Sequence, residues 1–136
     1  GSGYLTAAMA VMVGSSGKVV GIDHIPELVE ISKRNIEKHH ADLLSSGRIE
    51  LITGDGRMGK PIEGGYNVIH VGASAPILPM ELIRQLADGG RMVIPVGTTS
   101  QEFVQVDREG DQFRKKSLHG VIYVPLTSRE EQLGTN

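Results

Sequence analysis

The chain of 136 residues carries 14 Lys and Arg against 16 Asp and Glu, a formal charge of −2, and 39% of it is hydrophobic. That length and balance suit one globular domain with a sizeable core and no basic phosphate-binding surface, so nucleic acid is not an expected partner. The absence of cysteine excludes disulfides and thiolate metal sites, the longest apolar run, around Ala7 to Val13, is too short to span a bilayer, and the first residues lack the basic region of a signal peptide.

Gly1-Ser2-Gly3-Tyr4-Leu5-Thr6 opens the chain as a glycine turn with a helix behind it. Such a turn normally follows a first β-strand, and here there is neither that strand nor an initiator methionine. The expectation is a fragment cut inside its binding motif, with Gly1-Ser2 as a cloning scar the other reading. Tyr4 to Val13, rich in Leu, Ala and Met, predicts a short buried helix closed near Gly14. Lys18 to Ile22 predicts a parallel strand covered on both faces, with Asp23 at its end. Pro26 and Glu27 at the start, and Lys38, His39 and His40 at the close, predict a helix running to about residue 40. Leu28, Val29, Ile36 and Ile25 supply its apolar stripe.

Strands are predicted over Arg48 to Thr53, stopped by Gly54-Asp55-Gly56-Arg57, and over Tyr66 to Val71, stopped by Gly72. A helix over Pro79 to Ala87 then turns at Asp88-Gly89-Gly90 into a strand over Arg91 to Val96. Repeated strand-helix-strand units with short connections predict an open parallel sheet flanked by helices, with ligands at the carboxyl ends of the strands. Afterwards the rhythm changes. Gln101 to Arg108 and Phe113 to Leu118, joined by the turn Glu109-Gly110-Asp111, predict an antiparallel pair, and Val121 to Val124 a further strand.

Two successive strands end in a carboxylate, Asp23 and Asp55, beside the glycine turn. Asp23 lies twenty positions beyond Gly3 and can accept both hydroxyls of a ribose. Asp55 can approach the exocyclic amine of an adenine, with Gly56 letting the base close to the backbone, although Asp55 could instead only shape an Asp-Gly turn. A dinucleotide turn would carry a third glycine where this chain has Thr6, so a pyrophosphate is less favoured than S-adenosylmethionine. The histidines His24, His39, His40 and His119 show no zinc-ligand spacing, and no metal is expected.

Several blocks then resemble protein-L-isoaspartate O-methyltransferases: Gly54-Asp55-Gly56-Arg57-Met58-Gly59, Ile69-His70-Val71-Gly72-Ala73 and Gly120-Val121-Ile122-Tyr123-Val124-Pro125-Leu126-Thr127, together with the opening turn and Gly17 to His24. The resemblance implies an α/β fold, a Rossmann-like S-adenosylmethionine-dependent methyltransferase sheet that is mostly parallel with antiparallel C-terminal strands, its first strand missing. It implies one partial domain over residues 1–136, and methyl transfer to the free carboxylate of isoaspartyl or D-aspartyl residues in damaged proteins. By motif, Gly1, Ser2 and Gly3 belong to the cofactor turn, Asp23 to the ribose and Asp55 and Gly56 to the base, with His24 a further cofactor-binding residue. Thr127 and Gln132 add contacts near the C-terminal end. His70, Val71, Gly72 and Ala73 would lie beside the substrate peptide, His70 being equally readable as a core histidine.

The family's serine loop, close to the reacting carboxylate, would precede Gly1, and no residue of this chain replaces it, so no catalytic residue is assigned. The fragment alone is expected to be inactive. Thr98 to Leu118 and His119 depart from the family pattern. A monomer acting in the cytoplasm on isoaspartyl-containing proteins, without a membrane partner, is the accompanying expectation. The rival readings are a non-catalytic S-adenosylmethionine-binding protein and an NAD-dependent oxidoreductase.

Overall fold

A computed structural model describes residues 2–121. The chain divides into two compact units, the first built up to Gly56 and the second beginning at Arg57. The strands among the described residues form a two-stranded and a four-stranded sheet, with parallel pairings first and antiparallel ones last.

In the first unit, α1 (Tyr4–Val13), β1 (Val19–Asp23), α2 (Pro26–Ser45) and β2 (Ile49–Thr53) follow in order. β1 and β2 pair in parallel from Val19 opposite Ile49 to Asp23 opposite Thr53. Ala10, Ile36, Leu43 and Ile49 form the buried core, with Ala7, Val19, Leu44 and Leu51 packed against it. α1 has its expected span but is not a buried helix: Ala10 is buried, whereas Tyr4 and Met12 are 79% and 83% exposed. Its apolar residues go all the way round, so the small stripe of Ala7 and Ala10 that packs leaves the larger side chains outside. At its far end the Arg48 Nη2 donates to the carbonyls of Ala10 and Gly14, each at 2.7 Å, partnering groups that a helix end leaves open.

β1 extends through Asp23 and is half-buried along its length rather than covered on both faces. α2 continues past residue 40 to Ser45 across a kink at His40 (φ −142°, ψ 41°). Leu43, buried in the core, draws the last turn inward, so His39 and His40 sit at a bend and not at a helix end.

The second unit contains β3 (Tyr66–His70), the short α3 (Met80–Ile83), β4 (Leu86–Gly97), β5 (Gln101–Glu109) and β6 (Gln112–Val121), in the sheet order β3-β4-β5-β6. Val71, Leu82, Leu86, Met92, Ile94, Val104 and Val106 are among its nine core residues. The helix expected up to Ala87 stops four residues earlier. The Gln85 carbonyl accepts from the Tyr66 N–H at 2.8 Å, and the fully buried Leu86 already pairs with Tyr66. The expected Asp88-Gly89-Gly90 turn is a bulge inside β4, where the register with β3 shifts. It is tied to the β5-β6 turn by the Gly110 N–H, which donates to Asp88 Oδ1 at 2.8 Å. Val121, expected to begin a separate strand, instead closes β6 opposite Gln101; Ile122 to Val124 lie outside the described residues.

Candidate cofactor site

Gly3 begins the site. Its φ of +84° is left-handed, a conformation costly for any residue with a Cβ, and it lets the chain turn directly into α1. The Ala7 N–H donates to the Gly3 carbonyl at 3.0 Å, and the Tyr4 N–H to Ser2 Oγ at 3.3 Å. Asp23 ends β1 where the paired strands finish together, and the Gly54 N–H donates to the Asp23 carbonyl at 3.0 Å. Its side chain is oriented by the chain that follows: Oδ1 accepts the Ile25 N–H at 3.0 Å, just before Pro26 starts α2.

Gly3 and Asp23 line one cavity, together with Thr6, Ile22, Val29 and Ser32 among others. The turn and the carboxylate linked by sequence spacing are therefore neighbours within a single unit. Asp55 and Gly56, both half-buried, follow β2 in the same unit without lining that cavity, and His24 is half-buried next to Asp23. Gly1, Thr127 and Gln132 lie outside the described residues.

The residues expected beside a substrate belong to the second unit. His70 ends β3, half-buried, and burial lowers its pKa below the ordinary 6.5, favouring the neutral imidazole. Beyond it the chain is held twice against β4, by the Val71 N–H donating to the Val93 carbonyl at 3.1 Å and the Ala75 N–H to the Pro95 carbonyl at 2.9 Å. Gly72 is exposed and Ala73 half-exposed between these tethers. Among the described residues no group of three His, Cys, Asp or Glu side chains could hold a metal ion, and no helix is long and apolar enough to cross a membrane.

A profile of the protein-L-isoaspartate(D-aspartate) O-methyltransferase family matches residues 1–131. The chain belongs to this family. It is 52% identical over 138 residues to the protein-L-isoaspartate O-methyltransferase of Caenorhabditis elegans, covering all of this chain and 61% of that protein. It is likewise 52% identical to protein-L-isoaspartate O-methyltransferase 2 of Arabidopsis thaliana, covering 98% of this chain and 44% of the relative. The chain thus spans about three fifths or less of the length of these curated relatives. A crystal structure from Plasmodium falciparum, described as a protein-L-isoaspartate O-methyltransferase in complex with S-adenosyl-L-homocysteine, matches with a TM-score of 0.82 and 30% identity, over 95% of this chain and 63% of that one.

Two cavity residues on α2, Val29 and Ser32, escaped the sequence reading as site residues. A signal for Ser32 existed: it is a polar residue between Val29 and Ile36 at helical spacing, on the face that packs inward.

Proposed function

We propose that this chain is part of a repair methyltransferase domain that moves a methyl group from S-adenosylmethionine to the free carboxylate of L-isoaspartyl or D-aspartyl residues in damaged proteins. The observation that carries the reading is the meeting of a left-handed glycine turn and a strand-end carboxylate around one cavity, in a chain of this family. The donor set fits the cofactor: a carboxylate for the ribose hydroxyls, backbone that can come close at Gly3, and apolar walls from Ile22, Val29 and Leu51. When bound, the cofactor supplies a methyl group activated on a sulfonium.

In this reading Asp23 holds the ribose and, with His24, Asp55, Gly56 and the turn from Gly1 to Gly3, fixes the cofactor; Thr127 and Gln132 contribute as family resemblance suggests. His70 to Ala73 border the substrate peptide, where a neutral His70 can donate one hydrogen bond and accept another. The substrate carboxylate is already ionised and nucleophilic at neutral pH, so no general base is required. Orientation and exclusion of water carry the rate, effects worth up to ~7–11 kcal/mol in well-aligned systems. The enzyme acts as a monomer in the cytoplasm, on proteins rather than nucleic acid or membranes. Membership of this family disfavours the nicotinamide-dependent alternative.

The test is transfer of labelled methyl groups from S-adenosylmethionine to an isoaspartyl peptide and to its normal aspartyl twin, using the protein expressed from its natural start. Labelling of the isoaspartyl peptide alone supports the reading. Cofactor binding without labelling supports the non-catalytic binding protein instead.

A further inference from the structure

The glycine turn is gripped from outside its own segment. Asn35 Nδ2 on α2 donates to the Ser2 carbonyl at 3.1 Å. One turn earlier on the same helix face, Ser32 is 6% exposed and lies directly against Gly3. A Cβ added at Gly3 would come within 2.9 Å of the Ser32 Cβ and 3.2 Å of its Cα and carbonyl oxygen. Residues three apart on a helix are neighbours, so Ser32 and Asn35 act on the turn as one surface. At its N-terminus α2 is anchored to Asp23 through the N–H of its capping residue Ile25. One helix is therefore bonded to both the turn and the carboxylate that face the cavity.

From this we infer that Asn35 is a positioning residue for the cofactor turn, resting on the methyltransferase reading above. A trans peptide is planar, so holding the Ser2 carbonyl toward Asn35 also fixes the direction of the Gly3 N–H, which points the opposite way. Ser32 sets how closely the turn approaches, and Asn35 sets how the peptide is rotated. Without the amide donor, the Ser2-Gly3 peptide is free to rotate about the left-handed glycine, and the bound orientation is populated less. Asn35 does not line the cavity, so its effect is exerted through Ser2 and Gly3.

The experiment compares Asn35→Ala, Asn35→Asp and Asn35→Gln with the unaltered protein, expressed from its natural start. Calorimetry gives affinity for S-adenosylhomocysteine, kinetics give KM for an isoaspartyl peptide, and thermal unfolding gives Tm. Asn35→Asp keeps the shape but places an anionic oxygen against the Ser2 carbonyl, so the expected order of affinity is Asn, then Ala at ~5-fold weaker, then Asp at ~10-fold weaker. Asn35→Gln, which keeps a donor, recovers most of the loss, and the peptide KM changes less than twofold throughout. Equal affinity of the Asp and Asn proteins, or a loss that moves peptide KM as much as cofactor affinity, overturns the positioning role. If the unaltered protein itself does not bind S-adenosylhomocysteine, the methyltransferase reading fails first and takes this inference with it.

Discussion

The two units of the chain use their residues differently. Among its described residues the second unit spreads nine buried core residues over a short helix and a four-stranded sheet with long antiparallel partners, β5 and β6 pairing over their whole described length. Among the described residues the first has six buried hydrophobic residues, four of them in one cluster, on a pair of five-residue parallel strands packed by α1 and α2. Yet the first unit holds the glycine turn, the strand-end carboxylate and the cavity. The unit with the larger buried cluster carries the strand that ends at His70, whereas the one with the smaller cluster carries the groups that line the cavity. A packing change should therefore register mainly as stability in the second unit, and a polar change mainly as binding in the first.

The largest effect should come from Leu86→Ala, which empties a fully buried position in the larger core. A loss of about 4 kcal/mol is expected by denaturant unfolding, against about 2–3 kcal/mol for Leu43→Ala in the smaller core, where neighbours can collapse more easily. Equal costs would remove the distinction between the cores. Next, Asp23→Ala should weaken S-adenosylhomocysteine binding by roughly 100-fold, about 2.7 kcal/mol, while lowering Tm by only a few degrees through loss of its bond to the Ile25 N–H. Calorimetry and thermal melts on the same sample separate the two effects.

A smaller effect concerns pH. His70 has its folded pKa lowered by burial, so below pH 6.5 the unfolded chain takes up the proton more readily than the folded one. The stability contributed by neutral His70 is full above 6.5 and is lost as pH falls through the folded pKa, with a slope no steeper than about 1.4 kcal/mol per pH unit. His70→Gln should flatten unfolding curves over that acid range. The smallest effect is expected at the surface. Arg91 meets Asp107 in a two-pronged pair at 2.7 and 3.3 Å, and that hydrogen bond, helped by one from Gln105, holds the Asp107 carboxyl below its usual range. The pair is exposed, so Arg91→Ala should move Tm by no more than ~2 °C and less still at high salt.

The order of elements was legible because apolar runs punctuated by glycine state their own boundaries, as at Gly14, Gly54 and Gly72. What escaped were places where tertiary packing outbid local propensity. α3 ends early because Leu86 is claimed by the core and the Gln85 carbonyl by Tyr66, and neither demand is written in residues 79–87. α2 runs past His40 because Leu43 finds a core position, whereas basic residues near a helix end are only a weak stop signal. In the site, the spacing from Gly3 to Asp23 brought together two residues that do share a cavity. On α2 only the inward placement of Ser32 was legible, from its helical spacing; that Ser32 and Asn35 meet the glycine turn was not, since they act across nearly thirty and more than thirty positions of sequence, respectively.

The claim that binding belongs to the first unit is tested most directly by amide hydrogen exchange, with and without S-adenosylhomocysteine, on the protein expressed from its natural start. The account predicts slowed exchange in peptides covering Gly3 to Ala7 and Ile22 to Ile25, and no change across Gln101 to Leu118. Protection concentrated in the β5-β6 hairpin, with the glycine turn unaffected, would contradict it.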